Sequence, residues 1–188
     1  FGRVDRTGII PTDSSLDCVG PFARSIDMLI NAMCAIDSTF KPVNNVEPIN
    51  IGLVNTTANA TIRDQIEHFL ANTGLQITSV ELSGLDEAFH AGMTIINAET
   101  WSAFGQYASR NELGKDVKQR LLNAKKISNE DLAKAEVTRT RFTKEVDEAL
   151  QRFTVLAMPT LPDFPMQRDD ALAGKQPQRQ AGYSDSLS

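Results

Sequence analysis

The sequence predicts an α/β fold in which helices dominate. Two observations carry that expectation. A strand, a helix and a second strand follow one another over residues 50 to 82, and segments with an apolar residue at every third or fourth position fill much of the rest. A βαβ unit of that length requires parallel pairing of its strands and a right-handed crossover.

The first segment, "GRVDRTGIIP", has short apolar pairs broken by Gly8 and Pro11, so it reads as extended chain and turns. Ser25 caps a helix whose stripe is Ile26, Leu29, Ile30, Met33 and Cys34, ending near Asp37 before a Pro42-containing linker. "NIGLV" at 50 to 54 reads as a buried strand. Thr61 and Asp64 resemble a capping box and precede Ile62, Ile66, Phe69 and Leu70 at helical spacing. Asn72-Thr73-Gly74 stops that helix, and "LQITSVEL" is the next strand.

Ser83 and Asp86 open a longer helix running through Phe89, Met93, Ile96 and Phe104, and a further helix covers Leu113 to Ala124. Ser128 and Asp131 start another, with Leu132, Ala135, Thr138, Phe142, Val146, Leu150 and Phe153 in helical register. "TVLAMP" is a short strand, and the Pro-rich, polar remainder reads as loop. No internal repeat is visible.

Composition narrows the class of function. The chain has 188 residues, 41% hydrophobic and 23% charged, with a net charge of −5. That balance is ordinary for a globular protein and lacks the basic excess of a nucleic-acid-binding surface. No apolar run approaches the roughly 20 residues a membrane helix needs, and no signal peptide is evident. Cys18 and Cys34 are too few for a disulfide framework, so a reducing, cytoplasmic compartment is expected. Asn55-Thr56-Thr57 and Asn59-Ala60-Thr61 match the glycosylation pattern, which means little without secretion.

His68 and His90 are far apart, with no Cys or carboxylate cluster at ligand spacing, so no metal is expected. Dinucleotide, phosphate-loop and Gly-x-Ser-x-Gly motifs are absent, and no cofactor is implied. Cys18 has no evident base and reads as a small buried hydrophobe. Asp86, Glu87 and Glu99 read as helix-cap and surface carboxylates. Lys115, Lys118, Arg120, Lys125 and Lys126 read as a solvated basic face. Composition and spacing alone do not reveal a function.

The ordered segments do. Gly2-Arg3-Val4-Asp5, Pro11, Ser15-Leu16-Asp17, Gly20-Pro21 and Arg24-Ser25-Ile26-Asp27 together resemble the amidase signature family, just downstream of its Gly/Ser-rich signature. Asp5 replaces the usual Ser, and Asp27 falls one place early. "NIGLV" with the following helix and "LQITSVEL" is similar to the family's β-α-β piece, and "INAETWSAF" to its Glu-containing helix. "VLAMPTLPDFP" is similar to its Pro-Thr-x-Pro strand end, with Thr154 where Asp is common.

The resemblance implies part of the amidase signature fold, a mixed β-sheet flanked by helices. Residues 1 to 188 are expected to form a single partial domain, an internal piece without the N-terminal catalytic portion. Members hydrolyse carboxamides through an acyl-enzyme, with a Ser nucleophile, a cis-peptide Ser and a Lys that the family places upstream of Phe1. No residue here is therefore assigned a catalytic role, and the isolated chain is expected to be inactive.

The Thr12 to Asp17 turn is expected to pack beside the nucleophile loop, with Ser15, Asp17, Gly20, Pro21 and Arg24 as scaffold and an Asp17–Arg24 pair fixing the turn. Trp101 is expected to line the acyl pocket. Arg110 occupies the position at which amidotransferase members bind a substrate carboxylate, although Glu112-Leu113-Gly114 departs from their Gly-Phe-Gly. Asp185 lies where that branch places a partner for the substrate's amino group. The parent's partner is expected to be a small amide, with no direct nucleic-acid or membrane partner, and homo-oligomerisation is left open. The alternatives are a glutaminase subunit of a tRNA-dependent amidotransferase and a non-catalytic folding or interaction domain.

Overall fold

In a computed structural model of the chain, residues 2–11, 14–43, 49–165 and 167–169 are described. The elements run α1 (Ile26–Ile36), β1 (Asn50–Val54), α2 (Ala60–Ala71), β2 (Gln76–Val80), α3 (Leu85–Phe104), a 3₁₀ turn (Gly105–Tyr107), α4 (Lys115–Ala124), α5 (Asn129–Leu150) and β3 (Val155–Ala157). The chain divides into two compact units, Phe1–Val46 with Glu87–Thr140 and Glu47–Asp86 with Arg141–Ser188.

The second unit holds the sheet. Its strand order is β2-β1-β3, and both pairings are parallel, with Ile51 opposite Ile77 on one side and Val155 on the other. The expected βαβ unit is therefore present. Parallel strands need cover on both faces. Val54, Val80 and Leu82 pack with Ala149 and Phe153, flanked by Phe142, Val146 and Leu156. Leu53 points the opposite way along the alternating strand and lines a cleft with Ile66 of α2. Gly52 lets the first layer close: a Cβ there would sit 2.7 Å from Leu156 Cδ2 and 3.0 Å from the Phe153 ring.

Helix ends follow local chemistry. Ser25 Oγ accepts from Met28 N–H at 3.3 Å, as its cap position predicts. Ser128 and Asp131 bond reciprocally, a capping box. The cap of α2 is Asn59 rather than Thr61: Asn59 Oδ1 accepts from Thr61 N–H at 3.0 Å. Gly74, at φ +70°, turns the chain out of α2.

Helix faces were less legible. On α3 the expected apolar series Phe89, Met93 and Ile96 is exposed, and the buried positions are Ala91 and Ile95. In the first unit these pack with Ala135, Leu16 and Leu132. The small Ala91 and Ala135 side chains permit an approach that the larger series does not. Toward the C-terminal end of α5 the buried position is Ala149, not Leu150, because the stripe advances by four, three and four through Phe142, Val146, Ala149 and Phe153, just past the helix end. On α1 no residue is buried; Ile26 is 70% exposed and Cys34 is also exposed.

After α1 the chain is fixed by Asp37. Its Oδ2 accepts from Arg3 Nε at 2.6 Å, and its Oδ1 accepts from Thr39 N–H at 2.8 Å and Thr39 Oγ1 at 2.6 Å. The Thr39 hydroxyl, then the Arg3 guanidinium and the Thr39 N–H, hold the carboxyl down at about 2, against an opposing effect of burial.

Two outcomes are expected. Gly52→Ala overpacks the layer beneath β1 and lowers unfolding stability by about 1–3 kcal/mol, read from urea denaturation. A carboxyl whose folded pKa is depressed stabilises above its unfolded pKa of 3.8, and that contribution is lost as pH falls through about 2. Unfolding midpoints of the natural chain should therefore fall more steeply between pH 4 and pH 2 than those of Asp37→Asn.

Candidate functional site

The densest polar constellation lies in the first unit, at the turn that follows the GRVD segment. Ser14 and Ser15 stand outside any helix or strand, so other groups must satisfy their backbone. Glu99, on α3, supplies a carboxylate: Oε1 accepts from Ser15 N–H at 2.9 Å and Oε2 from Ser14 Oγ at 3.2 Å. Ser14 Oγ in turn accepts from Leu16 N–H at 3.3 Å and Asp17 N–H at 3.1 Å. Arg139, on α5, donates to Ser15 Oγ at 2.7 Å and to Ser15 C=O at 3.0 Å. Arg6 donates to Ser14 C=O and, at 2.8 Å, to Pro11 C=O.

That arrangement decides what these hydroxyls can do. The buried Ser14 hydroxyl uses its proton and both lone pairs. Ser15 Oγ faces an arginine, which stays protonated and cannot serve as a base. Among the described residues no serine hydroxyl is hydrogen-bonded to a lysine. Both hydroxyls are thus engaged in holding the turn to α3 and α5.

The proposed Asp17–Arg24 pair does not form. Both residues are exposed, and no hydrogen bond or ion pair joins them. Long-range partners on α3 and α5 fix the turn instead, which makes a local pair unnecessary. Gly20 and Pro21 lie between them in irregular chain, Gly20 with open space around it. Cys18 is exposed, not buried, with Sγ 3.8 Å from Leu16 C=O.

Trp101 and Arg110 flank the 3₁₀ turn after α3. The Trp101 indole packs on Gly105, where an added Cβ would come within 2.8 Å, and Lys125 Nζ lies 5.6 Å from its ring centroid. Arg110 stacks over Tyr107 at 4.6 Å. Asp185 lies outside the described residues, as do Thr12 and Asp13.

Other candidates resolve into structural roles. His68 Nε2 sits 3.3 Å from Asn72 Nδ2. Asn55 bonds Ser79 and Glu81, and Asn59 caps α2 and bonds Asp163, so both glycosylation-pattern amides are engaged. Among the described residues no group of three or more His, Cys, Asp or Glu side chains is placed to hold a metal ion. No described helix is long and apolar enough to cross a membrane.

Glu99 and Arg139 were missed as site residues because their partners lie 84 and 124 residues away in sequence. A signal existed. Glu99 continues the buried series Ala91, Ile95 at intervals of four, and Arg139 follows Ala135 by four. A charge in register with buried positions needs a partner. Glu99→Ala is expected to cost about 1–3 kcal/mol by leaving the Ser15 N–H unpaired. Thermal unfolding reads the loss, and hydrogen exchange should quicken first at the Ser15, Leu16 and Asp17 amides.

Comparison with known proteins agrees with the order of these segments. The family profile described as Amidase matches residues 1–185. A solved structure described as "Crystal structure of amidase" superposes with a TM-score of 0.77 at 19% identity, covering 86% of this chain and 39% of that one. At that identity the likeness shows the fold, and this chain spans about two-fifths of the length of the amidase it matches. No curated protein matches. Because the profile match runs through the turn, the sheet and the helices alike, the chain belongs to the amidase family.

Proposed function

We propose that this chain is the C-terminal-side portion of an amidase that cleaves a small carboxamide to the acid and ammonia. The family match over residues 1–185 is the observation that carries this reading. The reaction proceeds through an acyl-enzyme on a serine activated by a cis-peptide serine and a neutral lysine, all outside this chain. The saturated Ser14 hydroxyl and the arginine-bound Ser15 hydroxyl support placing the nucleophile elsewhere. In this reading the Ser14–Asp17 turn backs the nucleophile loop and Trp101 borders the acyl pocket. Two free, exposed cysteines are in keeping with a reducing, cytoplasmic compartment.

One observation favours a second reading, a glutaminase subunit of a tRNA-dependent amidotransferase. The Arg110 guanidinium, braced on Tyr107, has no hydrogen-bond partner among the described residues, so its fork is open to a substrate carboxylate.

Ammonia release by the full-length protein from simple amides separates the two. Release without partner subunits supports the hydrolase, and release only from glutamine with partner subunits supports the amidotransferase. The 188-residue chain alone is expected to stay unlabelled by a serine-directed fluorophosphonate, read by intact mass. Stoichiometric labelling places the nucleophile within this chain and overturns the assignment.

A further inference from the structure

We draw no further inference here: the strongest candidate, the apolar stripe of α1 in the first unit, on which Ile26, Leu29, Ile30, Met33 and Ile36 are all at least partly exposed, carries nothing because nothing in the structure shows what covers it.

Discussion

The Ser14–Ser15 turn depends on one carboxylate. A turn with no ladder or helix to join must find partners for its N–H and C=O groups elsewhere, and Glu99 supplies the acceptors while Arg139 and Arg6 supply the donors. Glu99 can do so because it stands one helical turn beyond Ile95, a large side chain only 1% exposed. Packing around Ile95, Ala91 and Ala135 therefore fixes the carboxylate, and the carboxylate fixes the turn. The conformation of the Ser14–Asp17 turn thus follows from helices far along the chain.

A different constraint governs the unit that contains the sheet. A central parallel strand has two faces to cover, and β1 meets this with Gly52 and Val54 toward the α5 layer and Leu53 toward α2. The glycine lets Phe153 and Leu156 reach the strand backbone. The start of β1 is also tied to the α5–β3 connection: Asn50 N–H donates to Thr154 Oγ1, Asn50 Nδ2 to Arg152 C=O, and Thr154 N–H to Asn50 C=O. Thr154, which replaces the family's common Asp, thus offers a hydroxyl acceptor to the same strand.

Family membership is carried by the order of segments along residues 1–185. The serines that look most like a nucleophile pair are those whose hydroxyls are most fully committed to holding the turn.

By itself the sequence determined the local elements and the lineage. Caps at Ser25 and Ser128, the stop at Gly74, the βαβ order and the amidase-like succession of motifs all rest on neighbouring residues, so they can be read without knowing what packs on what. Tertiary structure decided which helix faces are buried, because α3 offers two apolar series and only packing against Ala135 and Leu16 selects Ala91 and Ile95. It also decided the partners of Ser14, Ser15 and Arg139, and left Asp17 and Arg24 apart. Charged and hydroxyl groups bond whatever the fold brings near, over separations of 84 to 124 residues that no local spacing encodes.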